Sequence, residues 1–414
     1  MEVRAGYKST EIGVIPNDWQ LFKVNDVLEL LTDYDANGSF ASVAENVNVF
    51  DYEEYAWYVR STDLENNSSL NNVKFVDETS YKFLKKTKLT GGELLFLKRG
   101  DIGKVYLFKM RTQYATVAPN LYLLKINQRT KPIYLYYFFN TDCGQQQLKS
   151  KNASSTLGAL YKDDVKSIIV PLPPLPEQTA IAEVLSDTDS LIQALEKQIA
   201  KKRNIKQGAM QKLLRPKEGW EVKKLGEIAK IVRGASPRPI EDPKWFDESS
   251  SIGWVRISDV TKSVKILTAT TQKLSELGIQ SSRYVEKGNL IMSICATVGR
   301  PILTRINVCI HDGFVVFRNP TIEKEYLYYF LSFIEKDWSK NGQTGSQMNL
   351  NTPLINSTEI AIPPAIEEQI RIATTLSDMD NELSALESTL EKYKMLKLGM
   401  MQNLLTGKIR LIKS

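Results

Sequence analysis

The sequence predicts an α/β protein with two globular domains, separated by two long helices that pack as an antiparallel coiled coil with pseudo-two-fold symmetry. The first observation is that residues 173–182 return in similar form as 364–373. The second is that a long helical pattern follows each copy, and the third is that the segments before the two copies repeat one another more faintly. The predicted boundaries are 1–172 and 216–362 for the globular domains, and 173–215 and 363–414 for the helical spacers, the last with a C-terminal tail.

The bulk composition is that of an ordinary globular protein. The chain has 414 residues, of which 42% are hydrophobic and 25% charged, and this length is enough for two or three domains with separate cores. No apolar run is long enough to cross a membrane, no signal-peptide core follows Met1, and the three cysteines are too few for a disulfide framework. We therefore expect a cytoplasmic protein, whose net charge of +6 is compatible with a polyanionic partner.

The long helices show a heptad pattern, because their apolar residues are spaced alternately by four and three. The first, predicted over 177–214, would extend about 57 Å. Each stripe could instead pack on its own domain, but two copies with the same phase favour mutual, antiparallel packing. The predicted helix–helix seam consists of Ile181, Leu185, Ile192, Leu195, Ile199 and Leu213 in the first helix and Ile372, Leu376, Leu383, Leu386, Leu390 and Leu404 in the second.

Identical residues also occur at equivalent positions beyond the apolar seam. They include the pairs Ser186 and Ser377, and Asp189 and Asp380. A contact between two helices does not require such identity. We therefore expect the outer faces to bind something that is present in two copies.

The two globular domains share weaker similarities in the same order. Glycine-bounded apolar runs at 94–97 and 290–294 predict strands, and the Tyr-Leu-Tyr-Tyr-Phe segments at 134–138 and 326–330 predict short helices. Each domain is therefore predicted to be α/β, with a common scaffold and different loops. Such a pair of domains is suited to the recognition of two different targets.

The sequence contains no recognisable catalytic motif. It lacks Gly-x-Gly and the phosphate-binding Gly-x-x-x-x-Gly-Lys, and the Asp164-Val165-Lys166 triplet is interpreted as a solvated helix start. Cys309 and His311 could form a thiol–histidine pair on one face of a predicted strand, but no orienting partner is visible and a metal site would need further ligands. We interpret His311 as a buried, hydrogen-bonded side chain, and we expect no catalysis and no metal.

The residues at 172–178, the helix end at 210–214 and the second block that closes at 404–408 resemble the conserved regions of specificity subunits from type I restriction–modification systems. The resemblance covers almost the whole chain. It implies two target recognition domains that each read half of a bipartite sequence in double-stranded DNA. It also implies two methyltransferase subunits and restriction/translocase subunits as partners, with S-adenosylmethionine and ATP bound by those partners and no cofactor in this chain. The lack of a long apolar run separately leads us to expect no role in a membrane.

Candidate DNA contacts follow from this resemblance and from side-chain chemistry. Arg, Lys, Asn and Gln suit base edges, whereas basic and hydroxyl side chains also suit phosphates. Such side chains occur in turns after strands, in an arginine-bearing arm and in small polar segments before the long helices. Exposed turns also carry charge in proteins that bind no polyanion. The candidates are Lys98, Arg99, Lys104, Ser154 and Ser155 in the first domain, and Arg233, Arg238, Arg256, Arg300, Gln343, Ser346 and Gln347 in the second.

Three alternatives remain open from the sequence. The chain could be the specificity partner of another, type II-like methyltransferase–nuclease, or a scaffold whose two domains bind proteins. It could also be an enzyme centred on Cys309 and His311.

Overall fold

The computed structural model describes residues 5–65, 70–151, 158–341 and 350–411. The chain forms two compact units, of which the first combines residues 1–195 with 389–414 and the second consists of residues 196–388. Each unit thus contains one predicted globular domain together with segments of both long helices. No helix within the described ranges is long and apolar enough to cross a membrane.

The first unit is rich in short strands. Its strands are β1 (Tyr7–Thr10), β2 (Gly13–Pro16), β3 (Gln20–Lys23), β4 (Leu28–Asp33), β5 (Val49–Phe50), β6 (Ala56–Val59), β7 (Lys74–Val76), β8 (Lys88–Leu89), β9 (Leu94–Leu97), β10 (Val105–Leu107), β11 (Ala115–Val117), β12 (Leu121–Ile126) and β13 (Ile169–Leu172). Its helices are α1 (Val24–Val27), α2 (Phe40–Asn46), α3 (Ser61–Glu65), α4 (Glu78–Phe83), α5 (Pro132–Phe139), α6 (Asp142–Ser150), α7 (Lys162–Ser167) and the first part of α8 (Leu175–Leu213).

The second unit has a comparable set of elements. Its strands are β14 (Glu221–Lys224), β15 (Lys230–Arg233), β16 (Gly253–Val255), β17 (Ile266–Leu267), β18 (Gln272–Lys273), β19 (Arg283–Val285), β20 (Leu290–Ser293), β21 (Pro301–Thr304), β22 (Val308–Ile310), β23 (Phe314–Arg318) and β24 (Glu359–Ile362). Its helices are α9 (Leu225–Ile228), α10 (Ile257–Lys262), α11 (Glu276–Gln280), α12 (Lys324–Asn341), α13 (Thr352–Ser357) and most of α14 (Ile366–Leu404), which ends in the first unit.

The two units share the central part of their sheet topology. An antiparallel sheet has the order β10-β9-β12-β4 in the first unit and contains the equivalent order β21-β20-β23-β15 in the second. A second sheet holds one parallel pair, β6 with β11 and β16 with β22. A third pairing, β3 with β13 and β14 with β24, joins the start of each domain to the strand before a long helix. The prediction of a common α/β scaffold is therefore confirmed.

The predicted local elements are also present. The run at 94–97 forms β9, and the run at 290–294 contains β20, which ends at Ser293. Both strands are buried on both faces because helices and the second sheet cover them. The Tyr-Leu-Tyr-Tyr-Phe segments lie in α5 and α12, and the second of these helices is much longer than the sequence indicated.

The long helices run antiparallel in each unit. In the first, the Nζ atom of Lys397 on α14 lies 2.6 Å from Asp189 on α8. In the second, Lys202 pairs with Glu382 and Lys206 with Asp380, so partner numbers fall along α14 as they rise along α8. The antiparallel prediction is confirmed. Lys202 and Lys206 continue the alternating three- and four-residue spacing from Ile199, and each of these charged residues has an acidic partner on α14.

Burial along the seam is uneven. Most predicted positions are buried, namely Ile181, Leu185, Ile192, Leu195, Ile199, Ile372, Leu376, Leu383 and Leu404. The remaining three, Leu213, Leu386 and Leu390, are half-buried. In the first unit Ile181 and Leu185 share a core with Met401 and Leu404. The stripe therefore packs both on the other long helix and on the domain of its own unit, so both of the packing modes considered from the sequence contribute.

The duplicated glutamine of the sequence motif anchors each long helix. The Oε1 atom of Gln178 accepts hydrogen bonds from the Thr130 hydroxyl (2.7 Å) and the Lys131 amide (3.0 Å), just before α5. Its Nε2 atom donates to the Pro173 carbonyl at 2.9 Å. Gln369 makes the equivalent bonds to the Glu323 amide and the Pro363 carbonyl. A buried side-chain amide that is satisfied on both sides fixes the helix start relative to the domain.

Asp189 and Asp380 occupy equivalent positions within their own units. The Tyr137 hydroxyl donates to Asp189 at 2.8 Å, and the Tyr329 hydroxyl donates to Asp380 at 2.7 Å. Each carboxylate also pairs with a lysine of the other long helix. Contacts inside each unit thus account for the identity of these two residues. Binding of a duplicated partner by the outer faces stays a prediction.

Candidate nucleic-acid interface

The turn between β9 and β10 carries three of the predicted contact residues. Gly100 and Gly103 have positive φ values of 97° and 113°, which glycine tolerates at no steric cost. Lys98, at the start of the turn, has a side chain that is only 12% exposed, and its Nζ atom lies 2.8 Å from Asp33 and also pairs with Asp35. Lys98 is therefore held in an internal ion-pair cluster, in which it has little surface to offer a ligand.

Arg99 and Lys104 differ from Lys98 in exposure. Lys104 pairs with Glu65 at 2.8 Å and with Asp101 at 3.3 Å. The exposed Arg99 side chain has no hydrogen-bond partner among the residues that the structure describes. Within this turn, Arg99 is the cation best placed to contact a polyanion. The predicted Ser154 and Ser155 lie outside the described residues.

Asp33 organises the cluster that holds Lys98. Its carboxylate lies 2.7 Å from Lys162 as well as 2.8 Å from Lys98, and its side chain is 6% exposed. Burial by itself would raise the pKa of Asp33, but the hydrogen bonds and charges of Lys162 and Lys98 lower that pKa below its ordinary value.

Replacing this carboxylate should lower the stability of the protein at neutral pH. It should also reduce the loss of stability that accompanies a fall in pH. We expect Asp33→Asn to lower the free energy of unfolding at pH 7 by roughly 1–3 kcal/mol. Because the folded pKa is depressed, the contribution of Asp33 is complete above its unfolded pKa of about 3.9 and is lost as the pH falls through the folded pKa. Urea denaturation at pH 7 and pH 3 should show a difference between the two proteins that shrinks in acid.

The matched control for this experiment is Asp163→Asn, since Asp163 is 94% exposed and pairs with Lys166 at 3.2 Å. It should change stability by less than about 1 kcal/mol at either pH. An equal loss for both variants would contradict the importance of the buried cluster.

The arm at 233–238 in the second unit is fixed by Asp312. The Nε atom of Arg233 donates to the Asp312 carbonyl at 2.8 Å, and the Ser236 hydroxyl donates to its carboxylate at 2.7 Å. The Ser236 hydrogen bond, with smaller contributions that include Arg238, lowers the pKa of Asp312. Arg238 itself lies 3.4 Å from this carboxylate and is largely exposed. The arm thus presents one loosely held guanidinium.

The turn between β20 and β21 corresponds to the β9–β10 turn of the first unit and carries Arg300. The Nη2 atom of Arg300 donates to the Ser263 carbonyl at 3.0 Å, just after α10, and the side chain is half-buried. The predicted Gln343, Ser346 and Gln347 lie outside the described residues.

Arg256 lies in a cleft of the second unit. Its Nε atom donates to Oε1 of Gln272 at 2.7 Å. The cleft has a volume of about 550 Å³ and is lined by Ile240, Glu241, Pro243, Phe246, Arg256 and Gln272. Gln272 was not predicted from the sequence. A signal for this region was present, because Val-Arg-x-x-Asp occurs at 59–63 and again at 255–259.

Cys309 and His311 do not form an evident nucleophilic pair. Cys309 is buried in β22, and burial raises its thiol pKa to about 11, which disfavours the thiolate. His311 lies beyond the end of β22 and not on the predicted strand face. Its Nδ1 atom accepts a hydrogen bond from the Gly313 amide at 2.9 Å, and burial lowers its pKa. These contacts agree with a largely buried, hydrogen-bonded histidine.

Comparisons of the sequence and of the fold with known proteins both find similarity to specificity proteins of type I restriction–modification systems. The family model described as the type I restriction modification DNA specificity domain matches twice, at residues 16–203 and 217–393. The MjaVIII type I restriction enzyme specificity subunit of Methanocaldococcus jannaschii is 26% identical, over 96% of this chain and 94% of the relative. The MjaIX specificity subunit of the same organism is also 26% identical, over 86% of each chain.

A solved structure has a similar fold. The crystal structure of the type I restriction–modification S subunit from M. genitalium matches with a TM-score of 0.61 at 14% sequence identity, over 98% of both chains.

Proposed function

This chain belongs to the family of type I restriction–modification specificity subunits, and we propose that it selects the DNA sequence at which its partner subunits act. Each unit would act as a target recognition domain for one half of a bipartite sequence. The chain itself would contribute recognition and no catalysis.

One observation carries this proposal: the specificity-domain model matches the chain twice, once in each repeat. The four-strand order shared by the two units supports it, because a shared scaffold with different loops can position different base-reading side chains. Neither the type II-like specificity partner nor the protein-binding scaffold is favoured by this match.

The proposed partners follow from the family. We propose that the chain assembles with two methyltransferase subunits and with restriction subunits that carry the translocase and nuclease activities. S-adenosylmethionine and ATP would bind to those partners. The groups of this chain that face DNA would then be of two kinds, cations that contact phosphates and side chains that read base edges.

Arg99 and Arg238 are the best candidates for phosphate contacts, since both are exposed and neither is fully engaged in the described structure. Such contacts supply affinity that falls with salt concentration but carry little sequence information. The remaining predicted contacts in described regions all have intramolecular partners with which DNA would have to compete, namely Lys98, Lys104, Arg233, Arg256 and Arg300.

A map of modified bases in the host genome tests the proposal. With the gene intact, we expect methylation at one bipartite motif, and we expect deletion of the gene to abolish methylation at that motif alone. The reason is that only the specificity subunit determines where the methyltransferase subunits act. Restoring the gene from a plasmid serves as the control and should restore the same motif.

The opposite result would contradict the proposal. If deletion leaves every methylated motif in place while the methyltransferase subunits are expressed, this chain does not direct methylation. A protein-binding role would then be the better explanation of the two repeated domains.

A further inference from the structure

Arg256 and Gln272 lie together in a cleft with mixed apolar and acidic walls, and nothing so far assigns that cleft a role. We propose that this pair reads a guanine edge in the half-site recognised by the second unit. Gln272 would orient the guanidinium, and Arg256 would donate to the base. The inference rests on the proposed function and names the ligand of one of its sites.

The backbone brings the two side chains together. Arg256 immediately follows β16, and Gln272 begins β18, which pairs antiparallel with β16 so that Trp254 lies opposite Gln272. The Nε atom of Arg256 donates to Gln272 Oε1 at 2.7 Å. Among the described residues, the two Nη atoms of Arg256 have no hydrogen-bond partner, and these are the atoms that a bidentate contact uses.

The Val-Arg-x-x-Asp motif also occurs in the first unit, where its guanidinium is neutralised internally. There Asp63 accepts hydrogen bonds from the Nη2 and Nε atoms of Arg60, at 2.7 and 3.1 Å. The Arg60 guanidinium is thus paired with the aspartate three residues later. The fold therefore accommodates an arginine at this position of the motif even where the side chain is not available to bind DNA.

In the second unit the equivalent aspartate keeps the contact with the backbone amide of the arginine, which Asp63 also makes, but its other partners differ. Asp259 accepts from the Arg256 backbone amide at 2.9 Å through one oxygen, and its other oxygen accepts from the amide and hydroxyl of Thr271. The aspartate fixes the backbone at Arg256 and leaves the guanidinium to Gln272. This difference between two similar domains is expected if they recognise different sequences.

The walls of the cleft favour a base edge over a phosphate. Ile240, Pro243 and Phe246 are apolar, and Glu241 adds a carboxylate that would repel a phosphate. A guanine presents two acceptors, N7 and O6, in the major groove, and a pair of parallel N–H donors from arginine matches them. Because Gln272 holds the guanidinium through Nε, both Nη atoms can point at one base.

The test is the methylation motif of host strains that carry Arg256→Lys or Gln272→Ala in the full-length gene. We expect Arg256→Lys to reduce discrimination at one position of one half-site by about 10-fold, since lysine retains the charge but lacks the paired donors. Gln272→Ala should relax the same position less strongly. The other half-site should remain unchanged in both strains.

Arg305→Ala is the matched control, because Arg305 is an exposed arginine of the same unit whose side chain has no partner among the described residues. It should leave the motif unchanged. Gln272→Ala also serves as the second variant if Arg256→Lys fails to accumulate as folded protein.

The outcomes separate the inference from the proposed function. A wild-type strain without a gene-dependent bipartite motif would overturn both. A wild-type motif that stays unchanged in both variants would overturn the inference alone. Weaker methylation of every site with an unchanged motif in Arg256→Lys would also overturn it, because that pattern indicates a phosphate contact.

Discussion

Replacing Arg410 with alanine is expected to destabilise the first unit by about 3–5 kcal/mol, because it leaves a buried carboxylate without its counterion. Glu177 has a fully buried side chain, and its two oxygens lie 2.6 and 2.8 Å from the Nε and Nη2 atoms of Arg410. Arg410 also binds Asp18 through two nitrogens, at 2.9 and 2.6 Å. Without Arg410, Glu177 would retain the Trp19 indole, which donates at 3.2 Å.

Urea denaturation, with hydrogen exchange to assign the loss to the first unit, measures this effect. Lys217→Ala is the control, because Lys217 pairs with Glu368, the counterpart of Glu177, at 3.5 Å and both side chains are partly exposed. It should cost less than about 1 kcal/mol. The double variant Arg410→Ala/Glu177→Gln should recover part of the loss. Equal costs for Arg410→Ala and Lys217→Ala would show that burial of Glu177 does not determine the effect.

The long helices were predictable because their signals are local and repeated. Proline-rich starts, the heptad spacing and the duplicated glutamine motif all lie within the helices or immediately before them. The first helix, predicted over 177–214, is observed as Leu175–Leu213. The strands β9 and β20 were predictable for the same reason, since a short apolar run bounded by glycines is typical of a buried strand.

Pairings between distant segments were not predictable in this way. The parallel pairs β6 with β11 and β16 with β22 join strands of three or four residues that lie far apart in sequence. The hydrogen bonds of Arg410 with Asp18 and Glu177 likewise have no local signal, because they join residues that are 392 and 233 positions apart. Such contacts depend on the tertiary fold and not on periodicity.

The same limit applies to the candidate interface. Lys98 was chosen from its place in a turn, but Asp33 and Asp35, more than sixty residues earlier, hold it. Gln272 was missed because its importance arises from pairing beside β16. Arg256 was identified as a candidate from its position after a strand, and the structure adds the cleft in which it lies. Whether any of the predicted contact residues touches DNA stays a prediction.

The seam allows a second large effect to be predicted. Leu376→Ala should lower the free energy of unfolding of the second unit by about 2–5 kcal/mol, the usual cost of deleting a fully buried leucine and leaving a cavity. Leu376 has no exposed surface, and it shares a core with Ile372 and with Leu214, which immediately follows α8. The loss should appear in urea denaturation and as faster hydrogen exchange of the α14 amides within this unit.

Leu386→Ala is the matched control, because Leu386 occupies a seam position of the same helix and unit but is only half-buried. The heptad pattern alone assigns the two leucines equal weight, whereas their burial predicts that Leu386→Ala costs clearly less, since less apolar area returns to water. If both substitutions cost the same, the heptad contact between the helices determines stability more than the core of the domain does. If Leu376→Ala alone is severe, packing of α14 on its domain is the dominant contribution.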